Sequence, residues 1–332
     1  MEKRKNDSLS YINYSALIVI CVLSVIAGAL VSGNYFLYKI SQNVPDSDDN
    51  TATSTERTIN KKYNTQAFAG VNILADSAVV FDPITKETVY VKDPDTAREL
   101  ASVTKVMTAY VAYTYISKDQ SITIIPSDLL PEGSSNIKVG DVWKRDSLIE
   151  YTLSVSSNDG ARALARTAGE LDALTLGLNK PSKEEALKWF VQKMNDTARD
   201  LNLPSLVFYN ESGLDVDSYT NGGYGNAKDT AKLFAKVYGV MPEVFETTTK
   251  NISYIDSSTG SKLAKNTNGD ADSIPGLAMS KTGFTDLALG NLGVVIEMGP
   301  ANPVVIVVLH STKEGRFSDI EKLRKATLES LR

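Results

Sequence analysis

Apolar and polar positions divide the chain into three regimes. From Ser15 to Leu37 the residues are almost wholly apolar and carry no charge, about the 20 residues a helix needs to cross a bilayer. From Ser41 to about Asn64 the apolar pattern is absent: Ser, Thr, Asp and Asn dominate, with Asp46, Asp48 and Asp49 close together. Such a stretch buries too little apolar surface to fold and is expected to be disordered. Order is expected from near Phe68, where short apolar runs begin to alternate with helical periodicities. The predicted organisation is a cytoplasmic N-terminus (1–14), a transmembrane anchor (15–38), a linker (39–66) and a globular domain (67–332).

Within the globular part, Ser77–Asp82 reads as a strand, Asp82-Pro83-Ile84-Thr85-Lys86 as a turn and Thr88–Val91 as the returning strand, a hairpin. A helix follows with Val106, Met107, Ala109, Tyr110 and Val111 as its apolar positions. Ile122–Ile125 is predicted as a short strand ended by Pro126, followed by a loop through Pro131 to Ser135. Asp146 is expected to cap a helix carrying Leu148, Ile149, Tyr151 and Leu153, and another helix begins near Asp159. Ser182 with Glu185, and Ser318 with Glu321, have the spacing of capping boxes. A further helix runs from near Ala227 to Tyr238, and strands are expected at Leu292–Ile296 and Val304–Leu309. Strands at both ends with helices between them predict an α+β domain, its terminal strands sharing one antiparallel sheet flanked by helices.

Charge and composition narrow the chemistry. The net charge is −5, without a basic stripe, which argues against nucleic acid as a partner. One cysteine (Cys21) and one histidine (His310) cannot supply the clustered ligands of a metal site, and no cofactor is implied. A Ser-His-Asp triad would need His310, at the end of an apolar strand, where a structural role is the expectation. Lys3, Arg4 and Lys5 before the apolar run predict a cytoplasmic N-terminus and an exported domain. A cleaved signal peptide has a shorter apolar region, although Ala27-Gly28-Ala29 could serve as its cleavage site and release a secreted form. A lipid anchor on Cys21 fits poorly beside the bulky Ile20. A retained membrane anchor is the reading adopted, with a linker reach of about 25–30 Å.

Three stretches carry candidate chemistry. In Ala101-Ser102-Val103-Thr104-Lys105 a serine precedes a lysine by three residues, a spacing that places both on one helix face. A serine hydroxyl needs such a base to attack a carbonyl. The pattern is weak by itself, since Ser135-Asn136-Ile137-Lys138 repeats it in a polar stretch. Ser156-Ser157-Asn158 lies between two predicted helices, where a hydroxyl can relay a proton and an amide can hold a carbonyl or a lysine. A helix cap is the competing reading. Lys281-Thr282-Gly283 looks like an edge strand: a cation and a hydroxyl suited to a carboxylate, beside a glycine that admits close backbone approach. A charged edge that resists aggregation is its alternative. Lys281 near Lys105 would favour a neutral Lys105.

In this order, S-x-x-K, S-x-N and K-T-G form the set found in penicillin-binding proteins and class A β-lactamases. With Phe208-Tyr209-Asn210-Glu211-Ser212-Gly213-Leu214 and Lys281-Thr282-Gly283-Phe284-Thr285, the sequence resembles the serine-type D-alanyl-D-alanine carboxypeptidases, the low-molecular-mass penicillin-binding proteins, from about Ala75 to Leu331. The resemblance implies a β-lactamase/transpeptidase-like α+β fold with a helical subdomain. It also implies cleavage of peptidoglycan stem peptides ending in D-Ala-D-Ala, and acylation by β-lactams. Ser102 would be the nucleophile, Lys105 its base and Ser156 a proton relay. Asn158, Lys281, Thr282 and Gly283 would bind substrate, and the backbone N–H groups of Ser102 and Phe284 would form the oxyanion hole. Many members carry a second β-rich domain and a C-terminal amphipathic anchor. This sequence ends after its terminal helix, so neither is expected, and the N-terminal span would replace the anchor. Ser157 stands where relatives often have glycine, and Gly222-Gly223-Tyr224-Gly225 is an unusual glycine-rich stretch near the expected cleft rim. A D,D-endopeptidase would use the same groups. A β-lactamase would add the E-x-x-L-N carboxylate, which is missing after the S-x-N turn, and a non-catalytic wall-binding module would not need this full polar set.

Overall fold

The computed structural model describes residues 63–129 and 136–331. The expected membrane span, nearly all of the linker and the Pro131–Ser135 loop lie outside the described residues. Among the described residues no helix is long and apolar enough to cross a membrane. Among the described residues, packing against the domain is present from Tyr63 onward. The Tyr63 ring is buried and its hydroxyl donates to Asp82 Oδ2 at 2.7 Å. Asn64 N–H reaches Ser330 O at 2.9 Å, and Phe68 stacks on Tyr90. Two aromatic anchors thus draw in the last residues of the polar stretch.

In chain order the strands are β1 (Ser77–Asp82), β2 (Glu87–Lys92), β3 (Arg98–Glu99), β4 (Ser121–Thr123), β5 (Val142–Lys144), β6 (Val207–Phe208), β7 (Gly223–Gly225), β8 (Ile252–Ser257), β9 (Gly260–Lys265), β10 (Leu277–Thr285), β11 (Leu289–Glu297) and β12 (Pro303–Ser311). The α-helices are α1 (Lys105–Tyr115), α2 (Arg145–Ser154), α3 (Asn158–Thr175), α4 (Lys183–Asp200), α5 (Ala227–Val240) and α6 (Gly315–Ser330). The main sheet is antiparallel with order β10-β11-β12-β1-β2, so the two ends of the domain meet at the β12–β1 pair, with Ser77 opposite Leu309.

The sheet is buried on both faces because β11 and β12 are almost continuously apolar. Successive side chains point to opposite faces of a strand. Val304, Ile306 and Val308 therefore pack with Ile320, Leu323 and Ala326 of α6, while Val305, Val307 and Leu309 join the larger core containing Phe234 and Val237 of α5. Burying each such side chain stabilises the fold by about 1.5–3 kcal/mol. At Gly293 of β11 a Cβ would lie 2.4 Å from the Phe234 ring, so glycine there permits close helix–sheet packing. β10, at the sheet edge, presents Lys281, Thr282 and Gly283.

α1 to α4 form the helical side of the molecule. Ser182 caps α4 as expected: Glu185 N–H donates to Ser182 Oγ, and Glu185 Oε2 accepts from Ser182 N–H at 2.8 Å. Two other cap expectations are corrected. α2 follows Lys144, and Asp146 instead sits in its first turn, paired with Arg145 at 2.7 Å. α6 starts at Gly315, three residues before the expected box; Ser318 Oγ donates to Gly315 O, and Glu321 pairs with Arg324. The Ile122–Ile125 strand is also shorter than expected, ending at Thr123. The β8–β9 hairpin was not anticipated; along β8 only Ile255 is buried, so it lacks an alternating apolar signature.

Candidate active site

The first motif gains its geometry from a change of helix type. Ala101–Thr104 is a 3₁₀ turn, and α1 begins at Lys105. Side chains at i and i+3 eclipse in a 3₁₀ turn, which brings Lys105 Nζ to 2.9 Å from Ser102 Oγ. Ala101 enters this turn at φ +46°, a left-handed conformation that costs a non-glycine residue about 1–2 kcal/mol. Tight packing holds it there. A Cβ on Gly213, itself at φ +78°, would lie 1.9 Å from Ala101 O.

Lys105 is fully buried. Besides Ser102 Oγ, its Nζ meets Asn158 Oδ1 at 2.7 Å and Ser212 O at 2.6 Å. Those two oxygens only accept. A neutral amine has two N–H groups to give them, which leaves its lone pair facing the serine hydroxyl. Burial pushes the Lys105 amine down to about 7, opposed by the charge of Glu211. The expected cause was the Lys281 charge; burial is instead the dominant one. Glu211 does not contact the amine as a counter-ion, because Arg162 Nε holds its Oε1 at 2.9 Å.

The second motif occupies the turn between α2 and α3. Its three residues divide the work. Ser156 sits at φ +61° and its Oγ accepts from Lys281 Nζ at 2.9 Å. Ser157 is the helix cap, its Oγ accepting from Gly160 N–H at 2.9 Å. Asn158, the first residue of α3, reaches Lys105. The cap reading and the chemical reading of S-x-N therefore both hold, on different residues.

The third motif lies on β10. Lys281 is buried, and its Nζ also donates to Thr282 O. Burial lowers its affinity for a proton well below that of a free lysine, reinforced by the charges of Lys105 and Arg316. Thr282 Oγ1 bonds Thr267 Oγ1 at 2.6 Å. At Gly283 the close approach was expected to serve a substrate. In the structure it is the turn carrying Ser102 that comes near: a Cβ would lie 2.5 Å from Leu100 O and 3.2 Å from Ser102 N. Phe284 is partly exposed beside it.

All seven residues singled out in the three motifs, Ser102, Lys105, Ser156, Asn158, Lys281, Thr282 and Gly283, thus converge through direct contacts or close packing. Sequence reasoning missed Arg316 and Glu211. Arg316 Nη1 donates to Gly283 O at 2.8 Å and places a buried cation behind β10. It lies 35 positions from Lys281 in a polar stretch that gives no signal of its own. His310 stands apart: its Nδ1 pairs with Asp76 Oδ2 at 2.6 Å. The competing match Ser135–Lys138 falls partly outside the described residues. Among the described residues no group of three or more His, Cys, Asp or Glu could hold a metal ion.

The arrangement is a hydroxyl facing a buried, proton-poor amine beside a strand edge that carries a second buried amine, and known proteins share its scaffold. The chain is 26% identical to a D-alanyl-D-alanine endopeptidase of Escherichia coli, over 76% of either chain. Penicillin-binding protein D2 of Listeria monocytogenes, solved with ampicillin bound, aligns at a TM-score of 0.63 with 28% identity, covering 77% of this chain and 98% of that one. The Streptomyces K15 DD-transpeptidase aligns at 0.67 with 25% identity, over 78% of this chain and 98% of that one. Residues 61–313 match the D-alanyl-D-alanine carboxypeptidase family. With more than half of its length matched, and a fold that unites the three motifs, the chain belongs to the D-alanyl-D-alanine carboxypeptidase family of serine peptidases.

Proposed function

We propose that this serine peptidase trims peptidoglycan stem peptides ending in D-Ala-D-Ala through an acyl-enzyme on Ser102. The observation that carries the assignment is the 2.9 Å contact between Ser102 Oγ and a fully buried Lys105 whose other two neighbours are obligate acceptors. Lys105 takes the hydroxyl proton as Oγ attacks the carbonyl between the two terminal D-alanines. The oxyanion is met by the backbone N–H groups of Ser102 and Phe284. Preorganised donors of this kind are often the largest single catalytic contribution. Ser156, linked to Lys281, relays the proton taken up by Lys105 to the leaving D-alanine amine as the peptide bond breaks. Lys281 and Thr282 hold the terminal carboxylate, with Arg316 adding to the positive potential, and Asn158 positions Lys105 and the substrate. Water then releases the shortened peptide and restores Ser102.

The test is intact mass of the domain from Tyr63 onward during incubation with benzylpenicillin. A one-to-one adduct mapped to Ser102 and lasting many minutes is expected, followed by D-alanine release from a model stem peptide. Rapid turnover of the drug would indicate a β-lactamase instead. A folded protein without an adduct would overturn the assignment. Cleavage of a cross-linked dimer of stem peptides, in preference to a free terminus, would identify an endopeptidase, as the E. coli relative is named.

We also propose that residues 15–38 anchor the domain on the outer face of the bacterial cell membrane, on the strength of their length, apolarity and basic N-terminal flank. Whole cells treated with external protease should lose the domain. Recovery of the protein in the medium, shortened at its N-terminus, would mean that the segment is a cleaved signal.

A further inference from the structure

Asn221 lies outside all three motifs, yet it joins three parts of the cleft. It is fully buried. Its Oδ1 accepts the Ala101 N–H at 3.3 Å and the Gly223 N–H at 3.0 Å. Its Nδ2 donates to Asp215 Oδ1 at 2.5 Å and approaches Thr285 Oγ1 at 3.4 Å. Thr285 Oγ1 in turn donates to Asp215 Oδ1 at 3.0 Å and accepts the Ala288 N–H at 3.1 Å. The backbone of Asn221 is fixed separately, its N–H donating to Tyr224 Oη at 2.9 Å.

The positions that this network holds decide its meaning. Ala101 precedes Ser102 and Thr285 follows Phe284. We infer that the Asn221–Asp215 pair is a positioning device that sets the spacing and aim of the two oxyanion N–H groups, by holding the residue before one and the residue after the other. Three observations support this. Ala101 is in a left-handed conformation, which persists only where the surroundings fix it. The peptide between Leu100 and Ala101, which gives its N–H to Asn221, leads directly into the Ser102 amide. β10 and the Leu100–Val103 turn touch at Gly283, where there is no room for a Cβ, so a shift of either segment changes the gap between the donors. Asn221 acts through these backbones and does not touch the reacting atoms.

This inference rests on the assignment of Ser102 as nucleophile, and its test separates the two. Acylation by benzylpenicillin is resolved into non-covalent affinity and the acylation rate constant, alongside the melting temperature and the affinity for a boronic acid that forms a tetrahedral adduct on Ser102. In Asn221→Ala the acylation rate constant should fall roughly tenfold to a hundredfold, less than the ~10²–10³ for outright loss of an oxyanion donor. Boronate affinity should fall in parallel while non-covalent affinity stays near that of the unsubstituted protein. The exchange N221D/D215N keeps a donor–acceptor pair between the two side chains and should recover most of the rate. Thr285→Val, which keeps shape and removes the hydroxyl, should lower the rate constant in the same direction, and together with the exchange variant decides the matter if Asn221→Ala fails to fold. An unchanged rate constant would overturn the inference. So would a loss that follows the melting temperature alone and is not recovered by the exchange. Failure of the unsubstituted protein to acylate would overturn the peptidase reading, and this inference with it.

Discussion

Two buried cationic sites in this molecule are built in opposite ways. On the helical side, Arg166 of α3 is 5% exposed and meets Asp128, which is 0% exposed, through Nε at 2.8 Å and Nη2 at 2.9 Å; Glu170 and the Thr123 carbonyl take further N–H groups. Burial disfavours the Arg166 charge, but the bonds to Asp128 more than offset it and its proton affinity rises. In the cleft, Lys105 and Lys281 are equally buried, and among the described residues neither has a carboxylate in contact. The one carboxylate that influences Lys105, Glu211, is taken by Arg162. A paired buried charge holds structure together. Two buried amines without a carboxylate partner instead hold their protons weakly, an arrangement that a reaction or a ligand makes useful, because buried charge without a partner is strongly disfavoured.

The comparison is sharpened most by substitution of the two cations. Lys105→Met should lower the benzylpenicillin acylation rate by about 10²–10⁴, the usual contribution of a general base. Its melting temperature should stay level or rise, since an apolar chain of similar length replaces a buried amine. Lys105→Arg should not rescue the rate, because a guanidinium does not release its proton. Arg166→Met should do the reverse. It leaves Asp128 buried and unpaired and should cost about 3–5 kcal/mol in urea denaturation, with acylation near normal while the protein is folded. The double variant R166M/D128L should recover most of that stability.

A smaller effect lies in the pH profile. With the Lys105 amine pushed down to about 7, the base is protonated below that pH and free above it. Acylation per unit of drug concentration should therefore rise with pH through about 7 and then level off. Glu211 favours the charged amine, so Glu211→Gln should move the rising limb to lower pH; a shift to higher pH would mean that another group controls it. The smallest effect expected is that of Ser182→Ala, which removes the α4 cap and should cost about 1 kcal/mol in thermal or urea unfolding without changing acylation.

The same contrast explains what could be read from the sequence. The β1–β2 hairpin, the apolar runs of β11 and β12 and the Ser182 box were visible because each signal is local. The three motifs were weak one by one and became legible as an ordered set through their resemblance to a known family. Asp146 and Ser318 carried cap-like letters without cap geometry. A carboxylate or hydroxyl near a helix start can bond elsewhere, as Asp146 does with Arg145 and Ser318 with Gly315 O. Arg316 and Asn221 gave no signal, and Glu211 stood in a family-like stretch without a role, for a different reason. Each acts on the cleft across long sequence separations, such as the 120 positions between Asn221 and Ala101. The burial of Lys105, which sets its chemistry, is likewise a product of the whole fold.

The pairing of β1 with β12 also orders events in time. Ser77 must wait for Leu309 before the sheet can close, and contacts of such long separation form late in folding. A chain interrupted before Leu277 would hold Ser102, Lys105, Ser156 and Asn158, yet lack the Lys281 edge and the strands that bury it. Such a fragment would be silent toward cell wall and antibiotic alike. It would also display β1 without its partner, an open strand edge of the kind prone to aggregation and proteolytic clearance. The onset of hydrolytic capacity is thereby tied to the arrival of β12 beside β1.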